Sequence, residues 1–281
     1  MYAIPFPEID PVLIQIGPLA IRWYALGFIA GLLGAWWYIL RLLKTERLWA
    51  GTPFNGKPSA TADHIGDLFV WAALGVILGG RLGYVLFYGL IYETDHFLSA
   101  PWRIFAAWEG GMSFHGGAIG VVLAIVFFAR ARKLDMAALG DVVAAGAPIG
   151  IFLVRIANFI NGELYGRSTD VDWCMVFPAG GPACRHPSQL YEATLEGLTL
   201  FMVLWWIDRR STPPGTIFWT FITGYGISRL IVELFREPDQ HLGFIFGPIT
   251  MGQILSIPMV AIGLIMLVLG YQRARQKAAH A

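Results

Sequence analysis

The 281-residue chain is poor in charge. Asp, Glu, Lys and Arg make up 14% of it, whereas they supply about 25% of an ordinary soluble domain. Hydrophobic residues account for 56% of the chain, and its mean hydropathy is +0.59. The formal net charge of +1 leaves no large positive excess with which to bind nucleic acid. The composition therefore excludes a typical soluble domain and indicates an integral membrane protein.

Cysteine is equally scarce, since the chain contains only Cys174 and Cys184. Two cysteines are too few for a disulfide scaffold or an evident zinc site, and we expect neither a metal nor a cofactor. The pair lies in the polar loop 159–187, where an oxidising compartment favours a structural disulfide over a nucleophilic thiol. The first 18 residues contain prolines and no basic n-region, so we expect no cleavable signal peptide.

Long apolar segments fill most of the chain, and about 20 such residues suffice for a helix to cross a bilayer. No internal repeat accompanies them, so we expect one polytopic domain over residues 1–281. The predicted fold class is an all-α integral membrane protein with seven transmembrane helices. The predicted spans are 19–40, 68–92, 114–129, 136–157, 190–207, 215–235 and 249–270.

The basic residues between these spans predict the orientation. Twelve follow the odd-numbered spans and four follow the even-numbered spans, which puts the N-terminus outside and the C-terminus in the cytoplasm. The periplasmic segments are then predicted around 1–18, 93–113, 158–189 and 236–248. The twelve are Arg41, Lys44, Arg47, Lys57, Arg130, Arg132, Lys133, Arg209, Arg210, Arg273, Arg275 and Lys277; the four are Arg103, Arg167, Arg185 and Arg236.

The remaining four basic residues, Arg22, Arg81, Arg155 and Arg229, fall inside predicted spans. A charge at the centre of a transmembrane helix costs about 2.5–3.5 kcal/mol on insertion scales. Any one of them, taken alone, is best explained by snorkelling to the interface. Four arginines that all tend toward the outer leaflet, with no lysine among them, indicate a shared anionic ligand such as phosphate.

The most polar stretch at a span end is RIANFINGELYGR, residues 155–167. Arg155 and Asn158 are three residues apart and share a helix face, and Asn161-Gly162 is a turn signal. An ordinary helix end with an Asn cap explains one Arg and one Asn, but it explains the whole cluster poorly. We therefore expect a polar pocket at the outer interface, with Arg167 a weaker ligand candidate than Arg155.

A second unusual stretch, WEGGMSFHGGAIG at 108–120, opens the third span. His115 lies among glycines there, and its ordinary pKa of about 6.5 suits a general base. A structural, hydrogen-bonded role for His115 is about equally favoured by the sequence. Ser113 could be a nucleophile, but no GxSxG elbow is present, and a helix-capping role is favoured.

Asp141, Glu192, Glu196 and Glu233 also lie in or beside spans. Glu233 follows Arg229 by four residues and precedes Arg236 by three, so the three side chains share a helix face. The favoured interpretation is an ion pair that makes Arg229 tolerable in the membrane and orients it toward a ligand.

Together these stretches resemble the bacterial prolipoprotein diacylglyceryl transferase family, over most of the chain. Two positions depart from the family pattern: Val154 stands where a glycine is usual, and Leu230 where a phenylalanine is common. Neither changes a polar group, although Val154 alters how closely the fourth span can pack. The motifs that carry the resemblance are RWY at 22–24, GGRLGYVLFY at 79–88, EGGMSFHGG at 109–117, RIANFINGELYGR at 155–167, HPSQLYEA at 186–193 and RLIVELFREPD at 229–239.

The resemblance implies transfer of the diacylglyceryl group of phosphatidylglycerol to the lipobox cysteine of a preprolipoprotein signal peptide. The thiol nucleophile belongs to the substrate, and glycerol 1-phosphate leaves. The implied setting is the bacterial cytoplasmic (inner) membrane, with the active site toward the periplasm and a monomeric enzyme among membrane lipids.

The predicted roles fall into three groups. Arg155 and Arg229 bind the phosphate, and His115 accepts the thiol proton or orients the group that does. Glu233 and Arg236 support them. The predicted phospholipid contacts are Arg155, Asn158, Asn161, Glu163, Gly166, Tyr24 and Arg81.

Three other classes of membrane protein share some of these features. An anion or lipid transporter would also use arginines within the membrane, but repeats or polar groups at the midplane are then expected. An intramembrane serine protease requires a reactive Ser113. A purely structural membrane protein leaves four buried arginines without a purpose.

Overall fold

The computed structural model divides the chain into two compact units, one of residues 58–139 and one of residues 1–57 with 140–281. Each unit is described by itself below. The residues described are 4–7, 9–17, 19–49, 57–90, 94–106, 108, 110–210, 212–238 and 244–279.

Helices make up most of the described structure. A π-helical turn, Val85–Gly89, extends α3, and a 3₁₀ helix spans Pro101–Phe105. The helices are α1 Trp23–Leu43, α2 Glu46–Trp49, α3 Ala62–Tyr84, α4 Thr94–Leu98, α5 Phe114–Ala131, α6 Met136–Ile160, α7 Ser188–Asp208, α8 Thr216–Val232 and α9 Met251–Ala279.

Short strands flank the helices of the larger unit. β2 (Val12–Ile16) and β3 (Leu19–Arg22) form an antiparallel hairpin. β1 (Ile4–Pro5) pairs in parallel with β4 (Met175–Val176), and β5 (Phe244–Phe246) pairs antiparallel with β6 (Ile249–Thr250).

Among the described residues, five helices are long and apolar enough to cross a membrane, by length and composition: α1, α3, α6, α7 and α9. Two shorter apolar helices, in α5 and α8, overlap the third and sixth predicted spans. The prediction of a mostly helical, multi-pass membrane protein is confirmed, whereas the count of seven spans stays a prediction.

The starts of the first two predicted spans differ most from the starts of the observed helices. Residues 19–22 form strand β3, so α1 begins at Trp23 and not at residue 19. Helix α3 begins at Ala62, six residues before the predicted start, because Thr61 and His64 form a capping box. His64 occupies the position where Glu or Gln is the usual sequence signal. The last two residues of the predicted span 68–92 lie outside the described residues.

Four helices meet in the core of the larger unit. Tyr38 and Leu42 of α1 pack with alanines of α6, leucines of α7 and Ile217 of α8. α1 and α6 approach closely at Gly31, where a Cβ would lie 2.9 Å from Gly150 Cα. Outside this core, long apolar side chains are exposed along the helices, as expected where hydrocarbon replaces water as the solvent.

Glycines join α3 to α5 within the smaller unit. Gly75, Gly79 and Gly83 recur every four residues on α3 and face glycines of α5. A Cβ on Gly79 would lie 2.7 Å from Gly120 Cα. This is the close backbone packing that small residues allow between membrane helices.

We expect Gly79→Ala to destabilise the smaller unit by about 1–3 kcal/mol, because the new methyl group meets backbone that cannot move aside. The measurement is thermal unfolding of purified protein in detergent. Gly66→Ala on the same helix is the matched control, because a Cβ there meets open space and alanine favours helix. A melting temperature for Gly79→Ala at or above that of the wild type would contradict the packing.

Candidate active site

Six charged side chains gather near one end of α6 and α8 and beside the first half of α7. Three are arginines whose side chains are 10–17% exposed, and three are glutamates whose side chains are 0–3% exposed. We call them the charge cluster: Arg155, Glu192, Glu196, Arg229, Glu233 and Arg236.

Glu192 is the shared partner within the charge cluster. Its Oε2 lies 3.1 Å from Nε of Arg155, and its Oε1 accepts a 2.8 Å hydrogen bond from Nη1 of Arg229. Nε of Arg236 lies 3.5 Å from the same Oε1. One fully buried carboxylate therefore holds three guanidinium groups, one from α6 and two from the end of α8 and the residues just after it.

Glu196 and Glu233 complete the pairing. Glu196 Oε2 accepts a 3.4 Å hydrogen bond from Nη2 of Arg155, and its Oε1 lies 3.8 Å from Nη1 of Arg229. Glu233 Oε1 lies 2.5 Å from Nη2 of Arg229 and 3.6 Å from Nη1 of Arg236. The predicted ion pair of Glu233 with Arg229 is thus present, and its carboxylate orients the guanidinium.

Local backbone packing places these carboxylates. Residues Ala193–Thr199 of α7 are π-helical, a widened turn that is frequent at functional sites. Gly197 of this turn lies against α6, where a Cβ would be 2.7 Å from Phe152 Cβ. Because Arg155 follows Phe152 by three residues, this close approach brings its side chain within reach of Glu196.

The N-terminus of α9 holds the remaining carboxylate. Thr250 Oγ1 donates a 2.7 Å hydrogen bond to Glu233 Oε2. A Cβ on Gly252 would lie 2.6 Å from Glu233 Cδ, so only glycine leaves room for the carboxylate there. A negative charge at this position is also favoured by the helix dipole.

Positive and negative charges balance in the charge cluster, three against three. Buried charges are stable only when paired and hydrogen-bonded, so each arginine depends on the buried glutamates. In the described part of the chain, Nη1 of Arg155 has no ion-pair partner. The glutamates therefore hold Arg155 through its Nε and Nη2 groups. Its Nη1 group can donate hydrogen bonds to an anionic ligand.

Glu192 and Glu196 were not predicted as site residues. They are four residues apart in an apolar segment, and Glu192 belongs to the HPSQLYEA motif. Two acidic residues one helical turn apart in an apolar segment were the sequence signal that could have identified them. Their partners Arg155 and Arg229 are 41 and 37 residues away in the chain, so the pairing itself is invisible in the sequence.

A group of amides lies beside the end of α6. Glu163 Oε1 accepts hydrogen bonds from Nδ2 of Asn158 at 2.7 Å and of Asn161 at 3.4 Å. Gln189 Nε2 donates to the carbonyl oxygen of Glu163 at 2.6 Å. The Oδ1 atoms of both asparagines and Oε1 of Gln189 are buried without a hydrogen-bond partner among the described residues.

Backbone pairing joins the loop after α6 to the end of α8. Gly166 pairs with Arg236, and a Cβ on Gly166 would lie 2.5 Å from the carbonyl oxygen of Phe235. Arg167 donates hydrogen bonds to the carbonyl oxygens of Arg236 and Glu233. Arg167 thus attaches the loop after α6 to the segment that carries Glu233 and Arg236.

The expected disulfide between Cys174 and Cys184 is present. Arg185, next in the chain, donates to the carbonyl oxygens of Gly166 and Gly180 and pairs with Glu237. The disulfide therefore closes a short loop whose base is attached to Gly166. No group of three His, Cys, Asp or Glu residues is placed to hold a metal ion in the described ranges.

Three other predicted residues are not among the six that define the charge cluster. Tyr24, at the start of α1, packs its ring 5.2 Å from that of Phe28. Arg81 belongs to the smaller unit and is only 5% exposed. The side chain of His115 lies outside the described residues. A lipid contact by Tyr24 or Arg81, and a proton-accepting role for His115, stay predictions.

Within the smaller unit, Arg81 binds backbone. Its guanidinium donates to the carbonyl oxygens of Arg103, Ile104, Gly110 and Gly111, which fixes the loop before α5. Ser113 caps α5, because its Oγ accepts a hydrogen bond from the N–H of Gly116, as the favoured interpretation expected.

The fold and the charge cluster define a class: a multi-pass membrane protein with arginines preorganised by buried carboxylates. The particular family follows from sequence comparison, because the model of the prolipoprotein diacylglyceryl transferase family matches residues 11–269. The chain belongs to this family.

Curated relatives named phosphatidylglycerol–prolipoprotein diacylglyceryl transferase are similar over almost their whole length. Those of Brucella anthropi, Brucella canis and Brucella suis are each 53% identical over 266 residues, covering 93% of this chain and 92% of the relative.

We expect Glu192→Gln to destabilise the larger unit by about 3 kcal/mol, because three buried guanidinium groups lose their shared charge. Glu237→Gln is the matched control, since that side chain is 45% exposed and pairs with Arg185 at the surface, where an ion pair contributes about 0–1 kcal/mol. Thermal unfolding in detergent measures both. Equal melting temperatures for the two variants would contradict the central position of Glu192.

Proposed function

We propose that this chain transfers the diacylglyceryl group of phosphatidylglycerol to the lipobox cysteine of a preprolipoprotein signal peptide. The product is a thioether, and this is the first step of lipoprotein maturation. Membership of the family and the names of the relatives support the activity. The observation that carries the site assignment is the fixing of Arg155 and Arg229 by buried glutamates.

The proposed topology is seven spans in one polytopic domain of the bacterial inner membrane, with the N-terminus outside. The excess of basic residues after odd-numbered spans supports it. In this orientation the ends of α6 and α8 that carry Arg155 and Arg229 face the periplasm. The outer-leaflet headgroup and the translocated lipobox cysteine then meet on that side. The enzyme is proposed to act as a monomer, without a cofactor.

The reaction makes one carbon–sulfur bond and breaks one carbon–oxygen bond. The substrate thiolate attacks the glyceryl carbon that bears the phosphate, and the electron pair of the broken bond moves to the phosphate oxygen. Glycerol 1-phosphate leaves with one more negative charge than the phosphate had in the lipid. Donors already in position stabilise such developing charge most effectively. Arg155 and Arg229 supply those donors. Glu192, Glu196 and Glu233 hold them, and Arg236 supports the arrangement through Glu192 and Glu233.

The second glycerol of phosphatidylglycerol offers hydroxyl groups, which donate hydrogen bonds. Because Glu163 accepts the amide hydrogens of Asn158 and Asn161, their Oδ1 atoms are left as acceptors. We assign these two oxygens to the headgroup hydroxyls. Gly166 allows the backbone to approach the headgroup, and Tyr24 and Arg81 are secondary contacts in this proposal.

Incubation of the purified protein with phosphatidylglycerol and a lipobox peptide tests the activity. Mass spectrometry should show a diacylglyceryl adduct on the cysteine, and free glycerol phosphate should appear in detergent without a sealed vesicle. A peptide with serine in place of that cysteine is the control. An unmodified thiol with well-folded protein would overturn the proposed function, and it would leave the transporter class open.

We expect Arg155→Ala and Arg229→Ala each to lower kcat by about 100-fold or more, since loss of one donor to a developing charge has this order of effect. The readout is the rate of glycerol phosphate release at equal protein levels. Arg132→Ala is the matched control, because Arg132 is 47% exposed and pairs with Asp67 in the smaller unit. Normal turnover in either site variant would exclude the phosphate assignment.

His115→Gln tests the proton acceptor. If His115 takes the thiol proton, the variant should be slow and should lose the dependence of the rate on pH near neutrality. Ser113→Ala should keep its rate and lose about 1 kcal/mol of stability with the helix cap. A full rate across neutral pH in His115→Gln would exclude His115 as the general base. A folded but inactive Ser113→Ala would instead support Ser113 as a nucleophile.

A further inference from the structure

Asp141 is an acidic residue in a membrane-spanning helix that the proposed reaction does not use. It lies near the start of α6, at the opposite end from Arg155. Its Oδ1 accepts a 2.8 Å hydrogen bond from the N–H of Phe218, and its Oδ2 accepts a 2.6 Å hydrogen bond from the N–H of Gly215. In the described part of the chain no Lys or Arg pairs with this carboxylate.

These two hydrogen bonds cap the N-terminus of α8 with a side chain that belongs to α6. The residue at its N-cap is Gly215, which has φ +94° and no side chain to accept a hydrogen bond. The first N–H groups of a helix need acceptors, and a carboxylate at this end is also favoured by the helix dipole. An ordinary cap would fix only the end of α8. A cap supplied by α6 also fixes where α8 begins relative to α6.

The distances along the two helices match. Fourteen residues separate Asp141 from Arg155 on α6, and fourteen separate Gly215 from Arg229 on α8. At about 1.5 Å per residue, each arginine lies about 21 Å from the shared cap. Both helices run from the cap toward the charge cluster, where Arg155 and Arg229 contact the same two carboxylates, Glu192 and Glu196.

On the α6 side, the packing between the cap and the cluster uses small residues. Small residues of α6, Gly140, Ala144 and Ala145, lie in the contact region with Ile217 and Phe218 of α8, and small side chains form shallow ridges. Pro148 lies between Asp141 and Arg155 and removes one backbone hydrogen bond from α6. Two directional hydrogen bonds at the cap therefore add a constraint that the apolar contact lacks.

We propose that Asp141 is a positioning residue for the transfer reaction: it sets the register of α8 against α6, so that Arg229 and Arg155 present their guanidinium groups at the same depth. This inference rests on the proposed function of the charge cluster. Asp141 touches neither substrate nor reacting atoms in this role. It acts through the two arginines, about 21 Å away along their helices.

The test compares Asp141→Asn with Asp135→Asn in the lipobox-peptide reaction. The amide of Asp141→Asn keeps one acceptor and faces the second N–H with a donor. We expect kcat to fall about 10- to 100-fold, because misplacement by about 1 Å has this order of effect, while KM for phosphatidylglycerol stays within about twofold, since the register acts on the transition state.

Asp135 provides a matched control at the same end of α6. Its Oδ1 accepts a hydrogen bond from the N–H of Ala138 in its own helix, and asparagine is an equally good cap. Asp135→Asn should therefore keep both kinetic constants. A kcat for Asp141→Asn within twofold of the wild type would overturn the register role. An inactive wild type would instead overturn the proposed function.

Two further measurements separate positioning from loss of fold. Asp141→Glu keeps the charge and both oxygens but lengthens the side chain, so it should fold, as judged by its melting temperature, and still lose kcat. A full kcat in Asp141→Glu would count against the register role. In a double-mutant cycle, Asp141→Asn and Arg229→Lys should lower kcat by less than the product of their separate effects. Multiplicative effects would show that Asp141 does not act through Arg229.

Discussion

Most of the site depends on one interaction, the sharing of the buried Glu192 carboxylate by three arginines. Arg155 is more than 70 residues from Arg229 and Arg236 in the sequence, and each of the three contacts Glu192 within 3.5 Å. Because an unpaired buried charge is very unfavourable, each of the three arginines is destabilised when this shared carboxylate is lost. The widened turn of α7 and the close approach of Gly197 to Phe152 bring Glu192 and Glu196 to the end of α6.

The same pairing explains how a neutral group of residues can serve chemistry on an anion. The glutamates fix the position of each guanidinium, so its remaining N–H groups point in fixed directions. No reorganisation is then needed as charge develops on a leaving phosphate, which is the condition for effective electrostatic stabilisation. In the proposed site, the amide oxygens of Asn158 and Asn161 extend this arrangement from the phosphate to the hydroxyl groups of the headgroup glycerol, because Glu163 fixes the orientation of both amides.

The sequence predicted the helices better than their ends and their partners. Hydropathy placed a segment on every apolar helix, but strand β3 and the cap of Thr61 with His64 moved two boundaries. The pair of Arg229 with Glu233 could be predicted because it lies within one helical turn. Arg81 donates to backbone carbonyl oxygens of the loop before α5, and these acceptors could not be identified from its position in an apolar span. An arginine in an apolar span indicates that hydrogen-bond acceptors are needed, but it does not show which groups accept.

What the sequence determined by itself was local: the membrane class, the apolar helices, the polar motifs at their ends and the family to which they belong. Hydropathy, helical spacing and motif order are all contained in short stretches of the chain. Only the tertiary structure decided that Glu192 and Glu196 hold Arg155 and Arg229, and that Asp141 caps α8. These partners are up to 77 residues apart, and they meet only when helices pack side by side, so the choice among acidic residues is made by the packing.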